Sequence, residues 1–255
     1  MHEGRHCPTS RKFGRPPRTP APFFGNFHRL SSRIPLGQTV SHAILETLYA
    51  DDHLLVFDKP GGLHAVPGRG EDKQDCLSAR AQARYPDALV VHRLDRDTSG
   101  LLLMARGKAM QSALSRAFMA RTVEKRYVAV VEGILAPPDT EDGWGDIDLP
   151  ILLDWPNRPR RIIDPRGKPS LTRWRVLPGS APEDCTRLEL EPFTGRSHQL
   201  RVHLRAIGHP ILGDTLYASD AGQARAGRLL LHAWKLGFTH PVTGLPLALE
   251  SPPPF

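Results

Sequence analysis

The sequence predicts an α+β protein built on a mixed sheet. Two observations carry that prediction: β-favouring segments outnumber helical ones, and the two kinds do not alternate strictly, as they do in a doubly wound parallel sheet. A third sets the scale. With 255 residues and 40% hydrophobic content the chain has enough apolar side chains for a real core.

Taken in order, residues 1–40 come first and stand apart. They hold six prolines and no apolar period, so no helix is expected there. They also hold seven basic residues against one acidic, a net +6 out of the chain's formal +7. The reading is a basic, mostly disordered arm over 1–40 followed by one folded domain over 41–255, with ordered sequence beginning near Ile44. Such an arm suits a polyanion, and the near-neutral body must concentrate its cations locally to bind one.

Leu54 to Phe57 is a short apolar run closed by Asp58-Lys59-Pro60-Gly61-Gly62, a strand entering a turn, and residues 63–75 read as a loop. Leu101 to Ala105 is a second buried strand. After Gly107, Met110, Leu114 and Phe118 recur four apart and mark an amphipathic helix. Tyr127 to Val131 is β-favouring on both faces apart from Ala129, which predicts a strand buried on both sides. The Pro-rich stretch from Pro150 to Pro169 reads as a long loop, followed by strands near Thr172 to Leu177 and Thr186 to Glu191. A helix with Leu200, Leu204 and Ile207 on one face ends at Gly208, a C-cap residue, and carries Arg201 and Arg205 as a basic stripe. Two last strands lie near Leu229 to His232 and Leu245 to Leu249.

Three clusters carry candidate chemistry. His92-Arg93-Leu94-Asp95-Arg96-Asp97-Thr98-Ser99-Gly100 lies between Val90-Val91 and Leu101-Leu102-Leu103, so a turn anchored at both ends aims its carboxylates from a rigid base. Alternation sends Leu94 inward and leaves Arg93 and Asp95 on the opposite face. Thr194 to Arg205 brings Arg196 to the start of the proposed helix, a natural seat for a carboxylate or phosphate. Arg158 to Lys168 holds Arg158, Arg160, Arg161, Arg166 and Lys168 against Asp164 alone, a loop suited to gripping a phosphate backbone. For each cluster the plain alternative is a solvated surface.

Other chemistries find little support. The three cysteines, Cys7, Cys76 and Cys185, are far apart and form no Cys-x-x-Cys pair, and the histidines show no metal spacing. Phosphate-loop, dinucleotide and serine-elbow motifs are missing. No apolar run approaches a membrane span, and nothing resembles a signal peptide. Neither a cofactor nor a metal is expected, and the expected compartment is a reducing cytoplasm.

Val91-His92-Arg93-Leu94-Asp95-Arg96-Asp97-Thr98-Ser99-Gly100-Leu101-Leu102 resembles the signature of the RluA family of RNA pseudouridine synthases. Four further stretches resemble the family in order. They are Leu54 to Pro60 with Gly62-Leu63 and Pro67-Gly68, Lys125 to Gly133, Thr194 to Leu204, and Gly208 to Asp214 with Tyr217. The resemblance spans roughly residues 47–255. It implies a mixed, mostly antiparallel sheet in two halves with flanking helices and a central catalytic cleft.

It also implies an isomerase acting on RNA without a cofactor. Asp95 is the implied nucleophile, whether it attacks the base or C1′ or assists glycal formation. Arg196 is the implied arginine that pairs with it, Tyr127 the tyrosine stacked on the target base, and Arg93 the residue that takes the place of the flipped base. Arg158, Arg160, Arg161, Lys168, Arg201 and Arg205 are the further candidates for RNA contact.

Asp154-Trp155-Pro156-Asn157-Arg158-Pro159 with Gly167-Lys168-Pro169 resembles the dual-specificity branch of the family. That implies uridines in tRNA anticodon loops and in a 23S rRNA hairpin loop as substrates. The expected partner is therefore RNA, with neither DNA nor membrane, and the expected state is a monomer. The alternatives are the same chemistry at a different uridine, a non-catalytic RNA-binding protein on the same scaffold, and a metal-dependent nuclease using Asp95, Asp97 and the scattered histidines.

Overall fold

The computed structural model of the chain describes residues 45–179 and 181–255, so the basic arm expected over 1–40 lies outside the described residues. The elements run β1 (Glu46–Ala50), β2 (Leu54–Lys59), α1 (Leu77–Arg84), β3 (Ala88–Val90), β4 (Ser99–Arg106), α2 (Gly107–Met119), β5 (Glu124–Glu132), β6 (Gly145–Asp148), β7 (Ile151–Leu153), β8 (Arg161–Ile163), β9 (Leu171–Val176), β10 (Cys185–Pro192), α3 (Gln199–Ala206), α4 (Asp220–Ala224), β11 (Leu231–Thr239) and β12 (Pro246–Glu250). One sheet takes the order β1-β2-β4-β11-β5-β10-β9-β6, with β3 added to β4 and β12 to β11. All its pairings are antiparallel except β4 with β11, so the fold is the mixed, mostly antiparallel α+β class expected.

Burial on both faces explains the apolar runs. Leu54 and Val56 of β2 and Leu101 and Leu103 of β4 pack with Met110 and Leu114 of α2. Leu55, Phe57, Leu102 and Met104 point the other way, onto Leu77 and Ala81 of α1. Helix α2 obeys its pattern, with Met110 and Leu114 buried and Phe118 packed against the same core. Helix α1 had no legible pattern because its buried face is made of Leu77, Ser78 and Ala81, two of them too small or polar to signal. A third core joins Ala129 and Val131 of β5 to Leu188 and Leu190 of β10 and to Leu200 and Leu204 of α3.

The stretch expected as a long loop over 150–169 is a hairpin. Strands β7 and β8 pair Ile151 with Ile163, Leu152 with Ile162 and Leu153 with Arg161. Pro150, Pro156, Pro159 and Pro165 all fall outside the paired residues, where a missing N–H costs nothing. Strand β11 also extends to Thr239, well beyond the His232 expected as its end.

The two halves of the sheet meet along a short seam. Strands β4 and β11 share only the pairs Ser99 with His232 and Gly100 with Ala233. A Cβ on Gly100 would lie 2.3 Å from the Ala233 carbonyl oxygen, and the residue has φ +106°, so only glycine fits this crossing. Further along the same edge β4 pairs with β3 through Met104 to Arg106. Residues 91–98 thus leave β3 and re-enter β4 inside the fork between β3 and β11.

Candidate active site at the seam

Inside the fork His92 supplies an acceptor to the backbone of β4. The amide of Leu103 donates to His92 Nε2 at 2.9 Å, and the imidazole stacks on Phe118 at 4.6 Å. Burial, helped by the charge of Lys125, pushes the His92 pKa down to about 3, so the ring is a neutral acceptor that anchors the loop. Leu94 is buried, Arg93 is exposed, and Asp95 keeps 26% of its side chain open to solvent.

From below, Lys59 holds the same loop. The amine is completely buried at the end of β2 and donates to the carbonyls of Pro60, Leu63 and Arg96 at 2.9, 2.8 and 2.8 Å. Its three donors are therefore satisfied by backbone. Burial lowers its pKa to about 8, an effect that the nearby charges of Asp97 and Asp95 partly oppose. The loop carrying Asp95 is thus fixed at His92 and at Arg96, on both sides of the carboxylate.

Across the seam stands Tyr127. Register aligns it with Ala233 of β11, which in turn aligns with Gly100, so tyrosine and loop end share one row of the sheet. Its ring packs against the cores of both halves. Burial raises the hydroxyl pKa well above the usual phenol value, and the negative charge of Asp95 adds to the rise. Tyr127 is therefore a neutral aromatic ring beside the carboxylate.

The cation facing Asp95 is Arg201, not Arg196. Arg201 lies on α3 with 3% exposure, and its Nη1 is 3.6 Å from Asp95 Oδ2. Its Nε and Nη2 donate to the two oxygens of Asp214 at 2.7 and 2.6 Å, a bidentate pair. Asp214 has no exposed surface and also accepts from the amides of Leu216 and Tyr217. Arg196 is exposed, and its guanidinium lies 3.4 Å from the carbonyl of Pro169. The reason is where the helix starts: α3 begins only at Gln199, so Arg196 remains in the preceding turn. Arg201 also leaves the set of exposed RNA contacts, because six consecutive residues of α3 from Gln199 to Leu204 are buried.

Of the other candidates, Arg158, Arg160, Lys168 and Arg205 are exposed and Arg161 is half-buried. Arg93 donates to the Ser197 hydroxyl at 3.1 Å, which ties the Asp95 loop to the turn before α3. The pattern of residues gave no role to Tyr217 or His198. The Tyr217 hydroxyl accepts from the Arg161 amide at 2.8 Å and shares a 2.8 Å hydrogen bond with His198 Nδ1. His198 takes a left-handed φ of 58° to reach it, and burial lowers its pKa while the charge of Asp95 raises it. No three His, Cys, Asp or Glu side chains converge as a metal cluster among the described residues, and no helix there is long and apolar enough to cross a membrane.

A half-open carboxylate on a braced loop, a buried arginine and a half-buried tyrosine meet at the seam. Residues 53–206 match the family model described as RNA pseudouridylate synthase. The dual-specificity RNA pseudouridine synthase RluA of Escherichia coli (strain K12) is 47% identical over 212 residues, covering 83% of this chain and 94% of that protein. The chain belongs to the RluA family of RNA pseudouridine synthases.

The RluA of Pasteurella multocida (strain Pm70) is 44% identical over the same shares of the two chains. Among solved structures, Human RNA Pseudouridylate Synthase Domain Containing 1 superposes with TM-score 0.68 at 30% identity, covering 86% of this chain and 87% of the other. As a pseudouridine synthase the chain is an isomerase acting on RNA.

Proposed function

We propose that this pseudouridine synthase uses Asp95 as its nucleophile on uridines in tRNA anticodon loops and in a 23S rRNA hairpin loop. The observation that carries the chemical part is the Asp95–Arg201 contact at 3.6 Å, on a loop braced at both ends, beside the ring of Tyr127. In the reaction the N1–C1′ bond of uridine breaks, the base turns, and a C5–C1′ bond forms. C5 then releases its proton and N1 gains one, so no electrons or groups are exchanged with a co-reactant. Attack at C1′, attack on the base and assistance to glycal formation all demand an ionised carboxylate aimed at the junction of sugar and base. Arg201, 3.6 Å away, fixes the direction of the Asp95 carboxylate.

The target uridine must leave its stack to reach the seam, which costs a few kcal/mol, and stacking on Tyr127 returns about 1–3 kcal/mol of it. Arg93, exposed beside Asp95, is the side chain to fill the vacated place in the RNA. Support for the substrates is the high identity to relatives named dual-specificity enzymes over nearly their whole length. Mapping pseudouridines in total RNA from a strain lacking the gene, and from the strain complemented with wild type or Asp95→Asn, tests both parts. The expected result is loss of anticodon-loop and 23S sites that only the wild-type gene restores. Restoration by Asp95→Asn, or loss at other sites alone, overturns the corresponding part.

A further inference from the structure

Trp155 is a large aromatic side chain outside the core. The indole lies in the turn between β7 and β8 with 65% exposure, and it contributes to none of the apolar clusters. A single exposed apolar residue is ordinary. This one has company of a particular kind, since the guanidinium carbon of Arg158 sits 4.2 Å from the ring centroid. Arg158, Arg160 and Lys168 are all exposed and have no carboxylate partner among the described residues, whereas neighbouring Arg166 is neutralised by Asp164.

The turn itself is braced. Asn157 Nδ2 donates to Asp154 Oδ2 at 3.0 Å, and the Asp154 amide donates to the Arg160 carbonyl at 3.1 Å. The hairpin is also tied to the seam site. Ile151 and Ile163 pack with Val202 of α3 and with Tyr217, and the Tyr217 hydroxyl receives the Arg161 amide. The same helix carries Arg201, so the hairpin and Asp95 are both anchored to α3.

We propose that Trp155 is a stacking platform for an unpaired base of the substrate RNA other than the target uridine, with Arg158, Arg160 and Lys168 holding the phosphates beside it. One face of the indole is taken by Arg158, and the exposure that remains leaves the other for the base. Stacking on an aromatic ring tolerates any base, so the platform adds affinity for an open loop over a closed helix. The proposal rests on the reading of RNA loops as substrates.

The test uses the full chain, an unmodified synthetic anticodon stem-loop, and binding measured across a salt series. Trp155→Ala is expected to weaken binding about ten-fold or more, the loss of one base stack, and Trp155→Phe to recover most of it. The salt slope of Trp155→Ala should equal that of wild type, because no charge is removed. Arg158→Ala should flatten it by about 0.7. Wild-type affinity in Trp155→Ala, or a Phe variant no better than Ala, overturns the platform. Failure of the wild-type protein to convert any uridine in this stem-loop instead overturns the substrate reading, and the binding comparison then still decides the role of Trp155.

Discussion

The Nη1 nitrogen of Arg201 stands 3.6 Å from Asp95 Oδ2, while the other face of the same guanidinium is locked onto the fully buried Asp214. One cation therefore serves two carboxylates of different standing. Asp214 neutralises and orients Arg201, and Arg201 orients the half-open Asp95. A lysine is no substitute, because a point charge cannot hold Asp214 with two parallel bonds and still present a nitrogen to Asp95.

Arg201→Lys should accordingly lower the single-turnover rate of pseudouridine formation by about a hundred-fold, the usual cost of misplacing a reacting group by about 1 Å. RNA affinity should change little, since Arg201 is buried. Arg201→Ala leaves Asp214 charged and alone in the interior and should cost about 3–5 kcal/mol of stability by denaturant titration.

His92 anchors the loop as a neutral acceptor. Its pKa in the folded protein, about 3, lies below the ordinary 6.5, so its contribution to stability is present above pH 6.5 and is lost as pH falls toward 3. NMR of the His92 ring should show no titration between pH 5 and 8. His92→Phe strands the Leu103 amide and should cost about 1–3 kcal/mol at neutral pH, with the gap to wild type narrowing in acid.

Burying the Lys59 charge carries a pH-dependent cost. Its amine has a folded pKa of about 8 against 10.5 when unfolded, so that cost is absent above pH 10.5 and fully present below pH 8, where the three carbonyl bonds oppose it. Measured against Lys59→Met, the stability of the wild type should rise between pH 8 and 10.5. A flat difference across that window contradicts a buried, easily deprotonated amine.

Gly100 tests the seam. Gly100→Ala pushes a methyl into the Ala233 carbonyl and forces an unfavourable φ, so the two halves cannot join. Loss of soluble folded protein, or a fall of more than about 4 kcal/mol in unfolding free energy, is the expected outcome.

Much of this was legible from residues alone. Apolar runs marked β2, β4 and β5 because those strands carry buried residues on both faces, whereas residues 91–98 form a loop in which strand alternation does not set the direction of Asp95. Arg201 was hidden for a physical reason. A helical-face reading treats α3 as half solvated, yet it is buried almost all round, and the residue that makes a buried arginine tolerable, Asp214, lies 13 positions away. The β7–β8 hairpin was masked by prolines that sit beside the paired residues. The parallel contact of β4 with β11 joins segments more than 130 residues apart, a separation over which no local pattern operates.

The central claim is that Asp95 performs the chemistry from this seam. Tritium release from an anticodon stem-loop labelled at uridine C5, measured for Asp95→Asn with binding of the same RNA, tests it most directly. Binding within a few-fold of wild type with release at background is the predicted result. Release at the wild-type rate contradicts it.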